Sequence, residues 1–287
     1  MASMRDIKRR RASIQSTGQI TKAMKLVSTV KLQKSRQKAE NSKPYFDMMY
    51  DTIASMLQKS GTIDHKYLRA GATGKKAVIA ITSNRGLAGG YNNNIVKLIA
   101  GDPRLKPEET VVYAIGRKGR DGLAKKGYEI KGDYSEVINE PLYQDASDLT
   151  KVLLDGFGRG EISEICLAYT SFKNTVVHIP RMLTLLPFTV GEKDGDEAPK
   201  AEALMNYEPE EETVLDQIIP KYMSSLIFGA LQEAVASENG ARMAAMDSAT
   251  NNADEMLAKL ELQYNRARQG SITQELTEII AGANAIE

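Results

Sequence analysis

Ser83-Asn-Arg-Gly-Leu-Ala-Gly-Gly-Tyr-Asn92 is the segment best suited to chemistry, with glycines at a turn between an apolar run and a helix-like stretch. Phosphate cradles are built this way, because the free N–H groups of a helix start point at the anion. The spacing fits neither familiar version: GxGxxG would need glycine at Ala88, and no Gly-Lys-Ser/Thr ends the loop. A tight structural turn explains the glycines equally well, and a partner-contact loop with Arg85 as its exposed charge is the third reading. Gly116, Gly119 and Gly122 form a second set whose three-residue period matches neither nucleotide motif.

Other chemistry is sparse. The chain of 287 residues has one cysteine, Cys166, and two histidines, His65 and His178, which excludes an internal disulfide and a zinc site built mainly from Cys and His. Cys166 lies in the apolar run Ile165-Cys-Leu-Ala168 and reads as a buried structural thiol. No short motif couples the acids to a base or a metal. No catalytic, cofactor-binding or metal-binding residue is therefore expected in this chain. Arg9-Arg10-Arg11 has three readings: a solvated helix face, a contact for an acidic protein, or a phosphate contact for nucleic acid. The first aromatic residue is Tyr45, so the stacking groups a nucleic-acid surface uses are missing from this end.

Charge is unevenly spread. Lys and Arg total 38 against 37 Asp and Glu, a formal net of +1. Residues 1–39 nevertheless hold eleven basic residues against Asp6 alone, whereas residues 192–216 hold ten acids against Lys193 and Lys200. Separated poles of this kind imply different partners at different places.

The elements that would position these groups fall into three stretches. Residues 1–59 contain one proline and one glycine and read as a single helix of roughly 85 Å. Its apolar stripe begins at Met4, Ile7 and Ile14, shifts to Ile20, Met24 and Val27, and has Gly18, Thr21, Lys25 and Ser28 on one row. Residues 75–190 read as an inserted α/β domain. Strands are expected at 76–82, 110–115, 162–172 and 175–186, and helices at 92–100, 121–126 and 145–157, which predicts a mostly parallel, Rossmann-like sheet. Residues 191–211 are an acidic linker. Residues 212–287 read as a helix on the order of 110 Å, with a 3-4 seam at Met246, Ala249, Ala253, Met256, Leu260, Tyr264 and Ala267. After a slip at Gly270, the seam resumes at Ile272, Leu276 and Ile279. The expected fold class is α/β plus a long coiled coil, the terminal helices pairing antiparallel with the α/β domain between them. Because the second helix is longer, its end is expected to project.

Three segments carry a family resemblance: Ile14-Gln-Ser-Thr-Gly-Gln-Ile-Thr-Lys-Ala-Met-Lys-Leu-Val27, Arg242-Met-Ala-Ala-Met-Asp-Ser-Ala-Thr-Asn-Asn252, and Tyr264-Asn-Arg-Ala-Arg-Gln-Gly-Ser-Ile-Thr-Gln-Glu-Leu-Thr-Glu-Ile279. With the glycine loop at 85–92, they resemble the gamma subunits of F-type rotary ATP synthases over essentially the whole chain. The resemblance implies a central rotor shaft, one copy per complex. It would stand inside three alpha and three beta subunits and turn with the c-subunit ring to drive the beta sites through ATP synthesis. It implies no cofactor and no nucleic acid. Met24, Arg85, Arg242, Arg268, Gln269, Thr273 and Glu275 match the region that meets the beta subunits, and Tyr207 and Glu208 match the foot that meets the c ring and the epsilon subunit. The lone cysteine argues against the thiol-regulated chloroplast type. A bacterial protein, peripheral on the cytoplasmic face of the inner membrane, is the expected source.

Overall fold

The computed structural model describes residues 4–59, 65–69, 71, 73–175, 177–188 and 211–284. Tyr207, Glu208 and nearly all of the acidic linker lie outside the described residues. The chain divides into two units, one made of Met1–Ser28 with Met243–Glu287 and the other of Thr29–Arg242. Two long helices, α1 (Met4–Lys59) and α5 (Glu211–Asn284), contribute residues to both.

In the first unit, α1 and α5 run antiparallel. Gly18 faces Ala253, and a Cβ on Gly18 would fall 3.3 Å from that of Ala253. The hydroxyls of Thr21 and Thr250 are hydrogen-bonded at 2.9 Å, Lys25 Nζ meets Asp247 at 2.5 Å, and Arg11 lies 3.7 Å from Glu261. All four pairs belong to one register. Ile7, Thr21 and Ser28 are buried on α1, and Met246, Ala253 and Leu260 on α5. Each set keeps the seven-residue spacing of a coiled-coil seam.

The apolar stripe expected on α1 is corrected here. Ile20 and Val27 are 58% and 57% exposed, and the small polar row of Gly18, Thr21 and Ser28 occupies the interface instead. Small residues at the seam let the helix backbones approach closely, and paired hydroxyls satisfy one another where water is excluded. The expected resumption of the seam after Gly270 is corrected too: α5 continues without a break to Asn284, but Ile272, Leu276 and Ile279 stand exposed on it. Seam burial runs through Leu257, Leu260, Tyr264, Ala267 and Ser271, and beyond it every residue whose exposure is described is exposed. The register explains the change, because Met4, where the description of α1 begins, lies level with residues 267–268.

The second unit is built on a five-stranded sheet in the order β3-β2-β1-β4-β5. Its strands are β1 (Lys75–Ile81), β2 (Thr110–Ile115), β3 (Glu129–Asp133), β4 (Ile162–Phe172) and β5 (His178–Leu186). β1 to β4 pair in parallel, and β5 pairs antiparallel with β4. Helices α2 (Tyr91–Gly101) and α3 (Arg117–Ala124) cover one face, where Ile95, Val96, Ile99 and Leu123 pack on Val78, Val112 and Cys166. α4 (Tyr143–Gly158) and the first part of α5 cover the other, where Leu149 and Leu153 join Leu215, Ile219, Met223, Ile227 and Leu231 over Ile79, Ile81 and Ile165. Pro220 deletes one helical N–H, yet α5 persists because buried side chains on both sides hold it to the sheet.

The period-three glycines are packing sites. Gly116 has φ +108°, and a Cβ there would collide with the Thr82 carbonyl; a Cβ on Gly119 would lie 2.6 Å from Thr82 Oγ1 and one on Gly122 3.0 Å from Val96. Thr82 Oγ1 accepts the Gly119 N–H at 2.8 Å, clamping the start of α3 to the end of β1. Gly116→Ala is expected to lower stability by roughly 2–3 kcal/mol through clash and backbone strain. Gly86→Ala, where nothing lies within 4 Å, should leave it nearly unchanged. Chemical denaturation of both variants checks this; equal midpoints would contradict it.

Candidate functional site

In an open α/β sheet, ligands bind outside the carboxyl ends of the strands where the strand order reverses. Here that place is between β1 and β4, bordered by the glycine loop at 82–90. It is occupied by the chain itself. Residues 233–242 of α5 lie across it: Glu233 Oε2 accepts the Phe172 N–H at 3.1 Å, and Ser237 Oγ donates to the Thr170 carbonyl at 3.1 Å. Gly240 packs directly on the His178 ring. Tyr91 Oη, at the first turn of α2, donates to the Ala234 carbonyl at 3.1 Å. Burial, reinforced by the Glu238 carboxylate, holds the Tyr91 hydroxyl well above the ordinary tyrosine range, so it stays a neutral donor.

The loop satisfies its own polar groups. The Ser83 N–H donates to Asn92 Oδ1 at 2.8 Å, and Ser83 Oγ donates to the Arg85 carbonyl at 2.7 Å. Asn84 Nδ2 donates to the Ser135 carbonyl at 2.8 Å, while Asn84 Oδ1 accepts the Arg117 N–H at 3.0 Å. Ala88, where a dinucleotide motif would want glycine, is buried. These contacts favour the structural turn. They leave Arg85 and Leu87 exposed at its tip.

Arg242 is drawn into this arrangement. Its guanidinium is 12% exposed, pairs with Glu238 at 2.7 Å and reaches the Gly86 carbonyl at 3.4 Å. The structure thus brings Arg242 against the loop that carries Arg85. It does not bring Met24 beside Arg268: Met24 is half-buried next to Lys25, level with Asp247 and about six helical turns away. Arg268, Gln269, Thr273 and Glu275 are exposed on α5, where Thr273 Oγ1 donates to the Gln269 carbonyl at 2.9 Å. Glu238, Tyr91 and Leu87 escaped the sequence reading. The four-residue step from Glu238 to Arg242 was the one available signal.

Cys166 is fully buried, and desolvation together with the nearby Glu164 carboxylate pushes its thiol up to about 12, so it remains protonated and unreactive. His65 Nε2 lies 3.3 Å from Asp216, whose carboxyl is held below its usual range chiefly by the Lys66 ammonium at 2.8 Å. Among the described residues no group of three or more His, Cys, Asp or Glu is placed to hold a metal, and no helix is long and apolar enough to cross a membrane.

Tyr91→Phe removes the donor to a buried helix carbonyl. It is expected to cost about 1–2 kcal/mol, read as a lower denaturation midpoint. An unchanged midpoint would show that the bond contributes nothing.

Comparison with known proteins completes the description. The sequence pattern of the family described as ATP synthase matches residues 3–286. An ATP synthase gamma chain from Lachnoclostridium phytofermentans is 64% identical, with 100% of each chain covered. A sodium-ion-specific ATP synthase gamma chain from Acetobacterium woodii is 41% identical over 99% of each. A chain of the Euglena gracilis mitochondrial ATP synthase, in rotational state 3, shares the fold with a TM-score of 0.69 at 19% identity, covering 99% of this chain and 94% of its own. Sequence pattern, full-length identity and fold agree, and the chain belongs to the gamma-chain family of ATP synthase subunits.

Proposed function

We propose that this chain is the central shaft of its ATP synthase, turning with the c ring and driving the beta sites in sequence without catalysing any step itself. One observation carries the reading. Past Ser271 the seam pattern would continue through Gln274 and Glu278, but the apolar side chains move one position round the helix to Ile272, Leu276 and Ile279, which are 48%, 54% and 67% exposed. An apolar stripe that leaves the seam at the point where α1 ends is made for a different surface. The hydrogen-bonding side chains of Arg268, Gln269, Thr273 and Glu275 beside it suit a directional protein contact. A ring of alpha and beta subunits around the shaft would supply that surface. Met24 lies farther down the same coiled coil, and Arg85, on the sheet domain, faces acidic loops of beta.

The domain division follows the same reading. Residues 1–59 and 212–287 form the shaft, and residues 75–190 form a domain gripping it. The linker at 191–211, with Tyr207 and Glu208, meets the c ring and epsilon. The absence of a catalytic site is supported by the filled crevice between β1 and β4, where α5 stands in the place a nucleotide would need. The coupling ion, chosen by the ring and its membrane partner, is a property of other chains. A bacterial chain bound at the cytoplasmic face of the inner membrane through these partners fits the role.

ATP hydrolysis by purified alpha and beta subunits, with and without this chain, tests the proposal. A stable complex with activity should appear only when the chain is added, and the chain alone should hydrolyse nothing. Hydrolysis by the chain alone would revive the glycine loop as an enzyme site. Deleting residues 272–287 is expected to reduce the rate of the assembled complex several-fold while leaving the sheet domain folded. An unchanged rate would remove the exposed stripe from the mechanism.

A further inference from the structure

Among the described residues, Leu87 alone combines a side chain with a positive φ, +63°, and that side chain stands 61% exposed. A leucine is held in this conformation only where its surroundings over-determine it, and such sites cluster at functional contacts. Three of the restraints belong to the sheet domain: Asn92 on Ser83, Ser83 Oγ on the Arg85 carbonyl, and Ser135 on Asn84. The restraint from α5 is Arg242, whose Nη2 donates to the Gly86 carbonyl between Arg85 and Leu87. Glu238, one turn earlier on α5, pairs with the same guanidinium at the shorter distance of 2.7 Å, and both side chains are nearly covered, at 12% and 14% exposure. In so dry a place the planar fork keeps one orientation as long as its carboxylate is present.

We propose that Glu238 is a positioning residue for the contact between shaft and ring: it aims Arg242 at the Gly86 carbonyl, and so fixes the angle at which Arg85 and Leu87 leave the shaft. The inference rests on the shaft reading above and deepens it. Force applied to the loop tip then enters α5 through Arg242 and does not dissipate in loop movement. The tip presents one cation beside one exposed leucine, so the matching partner is an acidic protein segment with an apolar side chain next to its carboxylates.

The test uses the assembled synthase in inverted membrane vesicles, with ATP hydrolysis and ATP-driven ion pumping measured together. Glu238→Gln keeps the shape and removes the charge. It is expected to lower ions pumped per ATP at least threefold, and amide exchange across residues 84–90 should speed at least tenfold. Arg85→Ala should lower pumping by a similar factor, and adding Glu238→Gln to it should cause no further loss, because the loop would have nothing left to aim. Should Glu238→Gln fail to assemble, Arg242→Lys keeps the charge without the fork and carries the same expectations. Multiplying losses in the double variant, or normal pumping with a loosened loop, would overturn the positioning role alone. Normal pumping by Arg85→Ala would overturn the loop's part in the shaft reading and this proposal with it.

Discussion

The burial of α5 against the sheet sets the terms for the rest of the structure. Leu215, Ile219, Met223, Ile227 and Leu231 are completely buried, forming one wall of the core beneath β1 and β4. With roughly 1.5–3 kcal/mol gained for each such side chain, this helix is integral to the sheet domain. From Glu233 on, the same helix crosses the ligand crevice of the fold, and from Met243 it supplies half of a coiled-coil seam. At the place where ligands bind in other open α/β sheets, this chain holds its own helix.

The coiled coil is held by unusual means. Its central contacts are glycine on alanine, threonine on threonine and a lysine–aspartate pair that is nearly half exposed. An exposed pair contributes little, and small seam residues bury little apolar area. Such a seam gives close approach and one register while leaving apolar side chains such as Ile20, Val27 and Val30 on the outer surface of α1. For a shaft enclosed by other subunits, an outer surface of that kind is an asset.

Much of this was legible in the sequence. β2 and β4 appear at the residues expected, because both are continuous apolar runs buried on two faces. β3 was missed, since Glu129-Ile-Lys-Gly-Asp133 is a short edge strand whose charged residues face outward. On α1 the row of Gly18, Thr21 and Ser28 was legible as part of the seam, but the apolar residues Ile20 and Val27 were wrongly placed with it: Ala253 and Thr250 are small, and small side chains on α1 fit against them where large apolar ones would hold the helices apart. The slip at Gly270 was a true signal given the wrong cause: it marks the end of pairing and not a fault within it. Of the candidate site residues, Arg242 could not be placed without coordinates, because its partner Gly86 lies 156 residues away. Glu238 and Leu87 act through burial and backbone angle, which no spacing reveals.

The central claim is that this chain turns inside a fixed ring. A probe attached through Lys151→Cys, on the exposed face of α4, with Cys166 replaced by serine and the alpha–beta ring fixed to a surface, tests it directly by single-molecule observation during ATP hydrolysis. The account predicts one-way rotation with three pauses per turn, one for each beta subunit. A probe that stays still while the complex hydrolyses ATP would contradict it.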